Sequence, residues 1–127
     1  MNEKHADFLS RLALTFSHGD YADMENSTMA AEKLFSKALE YFHDHRAYLG
    51  LSMLLQKKRD FTSSINILEK GISYYPESED LFLCMGLNWM NLGNFQKALD
   101  CFLTFQESDK IQPYISECKR QLAKTET

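Results

Sequence analysis

The sequence predicts an all-α chain, and three observations carry that prediction. Only 5 Gly and 2 Pro occur among 127 residues, too few for the many turns of a sandwich or barrel. Apolar residues recur three and four apart, as in Tyr48, Leu51, Leu55 and in Phe82, Met85, Trp89, which is the spacing of one helix face. The pattern also repeats, since Phe61 and Phe95 stand 34 residues apart, as do Leu68 and Phe102. At about 100 to 200 residues per domain, the length suits one domain or one short repeat array.

The elements follow in order. A first, irregular unit over 4–44 has Gly19-Asp20-Tyr21 where a later unit has Gly93-Asn94-Phe95, and Ala31, Phe35 and Ala38 where it has Ala98, Phe102 and Phe105. Tyr21 to Phe35 spans 14 residues against seven from Phe95 to Phe102, so seven are inserted. Seven residues are two helical turns, about 10 Å, and keep the same face inward. Either the second helix is extended here, which is the favoured reading, or Asn26-Ser27-Thr28 breaks it and caps a new start.

Units 45–78 and 79–112 each hold two helices of about 14 residues at that period. Asp60 and Asn94 are N-cap residues for the second helix of each. Gly93 suits a left-handed helix end, where the preceding unit has Arg59 instead. A closing helix over 113–124 repeats Ile111, Tyr114, Ile115, Cys118 and Leu122 at helical spacing, with Lys119, Arg120 and Lys124 toward water. Such a polar-backed helix covers the last apolar face of a stack.

These residues resemble the tetratricopeptide repeat. The unit 79–112 supplies Phe82, Met85, Gly86, Trp89, Gly93, Phe95, Ala98 and Phe102 of that signature; the unit 45–78 supplies Tyr48, Leu51, Leu55, Phe61, Leu68, Gly71 and Pro76. Ser52 and Ser64 stand where small apolar residues are usual, and their small size preserves close helix approach. The resemblance implies a right-handed superhelical stack of antiparallel helix hairpins, three units and a capping helix, as a single domain. It also implies that the first helices of successive units line a concave groove.

On that register the groove residues are Leu49, Met53 and Gln56 in one unit and Leu83, Leu87 and Met90 in the next, with Lys57 and Asn91 at the edge. Stepping back equally from Tyr21 gives Leu9, Ala13 and Phe16. Family members that grip acidic chaperone tails carry Lys, Asn and Arg on this face, because a terminal carboxylate needs donors and positive charge. Leu49, Met53, Leu83 and Leu87 hold the comparable places here, which argues against a carboxylate clamp. They suit an apolar or amphipathic peptide or helix, with Met as the adaptable contact. In size and groove character the chain is similar to the small tetratricopeptide chaperones of type III secretion. An apolar stripe is equally the mark of a core, and Leu9, Ala13 and Phe16 suit packing against the long second helix just as well.

Other residue groups favour structural readings. His43-Asp44-His45 offers two imidazoles at a connection without further ligands nearby in sequence, so no metal is expected. Cys84, Cys101 and Cys118 are 17 apart, half the repeat, as small hydrophobes on successive helices would be. Glu77, Glu79 and Asp80 surround the cap candidate Ser78, where negative charge complements a helix N-terminus, and Lys57-Lys58-Arg59 ends a helix, where cations are favoured. No phosphate loop or nucleophile elbow is present. A net charge of −4 disfavours a general nucleic-acid surface. Three Cys, a polar start MNEKHADFLS and no run near the roughly 18 apolar residues of a span lead to the expectation of a cytoplasmic protein without membrane insertion. The expected function is that of a non-catalytic adaptor or chaperone without cofactor, its partner another protein. The alternative is a structural scaffold that self-assembles, as a homodimer or larger, through its groove or convex face.

Overall fold

Seven helices follow one another in the computed structural model, which describes residues 2–18 and 24–125, with side chains for 3–14 and 29–124. They are α1 (Asn2–His18), α2 (Met24–Tyr41), α3 (His45–Lys57), α4 (Phe61–Tyr74), α5 (Glu79–Asn91), α6 (Phe95–Leu103) and α7 (Gln112–Thr125). The first six form three hairpins, α1 with α2, α3 with α4 and α5 with α6, and α7 closes the last against α6. Besides the sequential contacts, α1 touches α3 and α3 touches α5, so the first helices lie side by side along one face.

Local chemistry fixes where these helices start. The Asp44 side chain accepts from Arg46 N at the head of α3, and Asp60 from Ser63 N at the head of α4. Ser78 accepts from Leu81 N and Asn94 from Lys97 N at the heads of α5 and α6. Each such cap contributes about 1 kcal/mol by satisfying a donor that the helix leaves unpaired. Helices α3 and α5 both end in a left-handed residue, Arg59 and Gly93, which turns the chain sharply enough to start the antiparallel partner. Helix α2 runs unbroken through Asn26, Ser27 and Thr28 and has 18 residues against 14 in α4. The residues from Gly19 to Tyr21 lie outside the described residues.

Three apolar clusters fill the stack. Ala6, Leu9 and Ala13 of α1 meet Ala31, Phe35 and Ala38 of α2 and Leu51, Leu54 and Leu55 of α3. Tyr48, Leu68 and Ile65 meet Leu81, Cys84 and Met85 across the next junction, and Phe102, Ala98 and Leu99 meet Ile111, Ile115 and Cys118 at the closing helix. Small residues set how closely the helices approach: a Cβ on Gly86 would stand 2.3 Å from the ring of Phe102, and one on Gly50 would stand 2.3 Å from Phe35. Lys119, Arg120 and Lys124 are exposed on α7.

Candidate functional site

The 34-residue period places Leu49 with Leu83 and Met53 with Leu87 at like positions on α3 and α5, and the contact of these two helices brings the four together. They wall an open depression of about 280 Å³ whose remaining lining is Gln56, Asp80, Cys84 and Lys110. Met53 is 50% exposed, while Leu49, Leu83 and Leu87 are half-buried with their inner sides on the core. At the rim Lys110 Nζ donates to Asp80 Oδ1 at 2.8 Å, an exposed pair that neutralises both charges.

The other expected groove residues divide. Met90 packs against the third cluster, and Lys57 and Asn91 are exposed, Asn91 Nδ2 donating to Leu87 O at 2.8 Å; none of the three lines the depression. Leu9 and Ala13 are a correction, since at 8% and 0% exposure they belong to the core. The long α2 covers the α1 stripe formed by Ala6, Leu9 and Ala13, which leaves those residues no open face. Phe16 lies on α1, and its side chain is outside the described residues.

Gln56 lines the depression but is not free there: it is half-buried and its Nε2 donates to Asn88 Oδ1 at 3.0 Å. Asn88 is 0% exposed. Its Nδ2 donates to Ser64 Oγ at 2.8 Å, Ser64 Oγ donates to Ser52 O at 2.7 Å, and Ser52 Oγ donates to Leu49 O at 2.8 Å. A buried polar chain thus crosses from α4 through α5 to the depression. Sequence reasoning missed Asn88, although a signal existed: it is the polar member of the stripe Leu81, Cys84, Met85, Asn88.

The remaining candidates are engaged in structure. His43 Nδ1 meets the Tyr48 hydroxyl at 2.7 Å and its ring stacks on Tyr74 at 3.8 Å, while His45 Nε2 meets Ser78 Oγ at 2.6 Å. Asp44 pairs with Arg46 at 2.9 Å and accepts from buried Ser10 at 3.3 Å. Among the described residues no three His, Cys, Asp or Glu side chains gather as metal ligands. Burial pushes the Cys101 thiol up to about 11, with Asp100 and Cys118 adding to the rise, and burial raises Cys84 and Cys118 too. Thiols so protonated are poor nucleophiles. Glu79 accepts from Ser108 and Lys58 pairs with Glu32 at 2.9 Å. A wider depression of about 720 Å³ at the turn before α5 is lined by these cap and paired residues, among them His45, Ser78, Glu79, Asp80 and Lys110. No described helix is long and apolar enough to cross a membrane.

No protein-family model matches the chain. Over 75 residues, 54% of the chain, it is 29% identical to the BBSome complex member BBS4 of Bos taurus, and it spans 14% of the length of that relative. Among solved structures it is similar to MamA MSR-1 C2, with a TM-score of 0.63 and 14% identity over 96% of this chain and 83% of that one. A point mutant of MamA gives a TM-score of 0.63 and 16% identity over 98% of this chain and 86% of that one. MamA is a tetratricopeptide-type helical repeat protein, and this chain has the same superhelical stack of hairpins.

Proposed function

We propose, taking the tetratricopeptide-type stack as premise, that the chain is a non-catalytic protein-interaction module that captures an apolar or amphipathic segment between α3 and α5. The observation that carries this reading is the open apolar depression walled by Leu49, Met53, Leu83 and Leu87, with half of Met53 left in water. Fully burying a side chain of this size contributes roughly 1.5 to 3 kcal/mol. Two or three such contacts, less the cost of association, correspond at best to weak binding on the order of a few hundred micromolar.

Met53→Glu tests the reading with little structural cost, because that side chain is half in solvent. The variant keeps the helical circular dichroism and melting temperature of the parent and loses the proteins that the parent captures from its native cell. Retention of every captured protein overturns the reading. Sedimentation of the pure chain separates the scaffold alternative: the adaptor stays monomeric as concentration rises, whereas growth of an oligomer abolished by Met53→Glu assigns the same face to a second copy.

A further inference from the structure

The middle of the α3–α5 depression offers a partner's backbone nothing to bond. Its walls are helices, whose N–H and C=O groups pair within α3 and α5. The turns that follow take carbonyls at the helix ends, Asp60 N–H on Leu55 O and Asn94 N–H on Trp89 O. The polar lining side chains stand toward the two ends of the stripe, Asp80 with its partner Lys110 before Leu83, and Gln56 after Met53. Between them the lining is Leu49, Met53, Leu83 and Leu87, with the thiol of Cys84, a weak donor. From Leu49 to Met53, and from Leu83 to Leu87, this apolar stretch is about one helical turn, roughly 6 Å.

Resting on the groove reading above, we infer that the depression takes an amphipathic α-helix with two large apolar side chains one turn apart and a carboxylate one turn beyond them. Backbone hydrogen bonding selects the helix. An extended segment crossing roughly 6 Å lays about two residues along the apolar stretch, each with a donor and an acceptor. A backbone group turned to these walls loses water and finds no partner, which costs about fivefold in affinity or more. Against binding of about a few hundred micromolar, one or two such losses remove it. A helix pairs its own backbone and presents only side chains. The size agrees: about 280 Å³ lies just under the roughly 300 to 1,000 Å³ of sites that hold whole small molecules, so side chains enter while the backbone stays above. Charge complementarity adds the carboxylate. Lys57 stands four residues beyond Met53 on α3, the interval that separates Met53 from Leu49, and is exposed with no ion pair among the described residues. Its neighbour Lys58 is held by Glu32 of α2. An acid one turn beyond the partner's apolar pair meets the Lys57 ammonium.

The test uses the full chain and a designed helix-forming peptide of about 15 residues. It carries two leucines four apart, a glutamate four residues before and after the pair, and alanine and glutamine elsewhere. One control has proline between the leucines, and another has glutamine for both glutamates. Methyl NMR titration follows Leu49, Met53, Leu83 and Leu87, and transferred NOEs report the shape of the bound peptide. The expected result is that the parent peptide shifts these methyls and shows the i to i+3 NOEs of a helix. The proline peptide binds at least about fivefold more weakly, and the glutamine peptide about two- to fivefold more weakly. In Lys57→Gln, an exposed change that leaves the fold alone, the glutamate and glutamine peptides bind alike. An extended bound peptide, a proline peptide that binds as well, or a glutamate preference that is absent or survives in Lys57→Gln overturns the inference while leaving an apolar groove in place. Failure of every peptide to shift these methyls overturns the groove reading and this inference together.

Discussion

Arg59 and Gly93 take the same left-handed backbone, φ 66° and 80°, at positions one repeat period apart. An L side chain in this region costs roughly 1 to 2 kcal/mol, while glycine adopts it freely at some cost in unfolded-state entropy. Arg59→Gly therefore raises stability by about 0.5 kcal/mol after the loss of its cation–π contact with Phe61. Gly93→Ala lowers it by about 1 kcal/mol, and for the backbone alone, because nothing lies within 4 Å of the added Cβ. Thermal melts of both variants check the opposite signs; two falls would mean that the Arg59 side chain outweighs its strain.

Gly86→Ala and Gly50→Ala act through contact instead. Each new Cβ would stand 2.3 Å from a fully buried aromatic ring, Phe102 or Phe35, so a helix or a ring must move. Overpacking of this kind costs about 1 to 3 kcal/mol. Urea unfolding measures it, and unchanged midpoints would contradict the close approach of these helices.

Removing Asn88 leaves Gln56 without its acceptor and Ser64 without its donor in a dry junction. Asn88→Ala costs about 1 to 3 kcal/mol beyond the loss of packing. Added to Ser64→Ala it costs less than the sum of the two, because both break one chain. A double-mutant cycle reads the coupling, expected at about 0.5 kcal/mol or more, and strict additivity would dissolve the network.

Hydrogen bonds from Arg120 and then Gln121 hold the Glu117 carboxyl at about 2, below the ordinary value of 4.5. A depressed carboxylate favours the folded state above its ordinary value, and that contribution fades as pH falls from about 4.5 toward 2. Carbon NMR titration of the side-chain carboxyl locates the midpoint, and Arg120→Gln moves it up toward 4.5. The pair is exposed, so added salt moves it the same way.

The period and the turns were legible because they are local. Asp60, Ser78 and Asn94 cap the helices they precede, and Gly86 meets Phe102 as a small residue at that register should. Leu49, Met53, Leu83 and Leu87 share one depression because a fixed period on adjacent first helices repeats the same outward direction. Leu9 and Ala13 were misplaced for a physical reason. The count carried the groove register onto α1, where the same stripe instead packs against Ala31, Phe35 and Ala38 of α2 and Leu51, Leu54 and Leu55 of α3. The role of Gln56 was illegible because its partner, Asn88, comes from another helix and is itself oriented by Ser64 on a third.

The buried polar chain has no counterpart one period along: Ser52, Gln56, Ser64 and Asn88 give way to Gly86, Met90, Ala98 and Leu122. One period back, Asn88 is replaced by Leu54. A second copy of the unit 45–78 spliced into the array would thus set a leucine against Ser64 and Gln56, leaving the Gln56 amide without its acceptor and the Ser64 hydroxyl without its donor. The junction between α3/α4 and α5 works as a keyed joint, and the units have a fixed order in spite of their common shape.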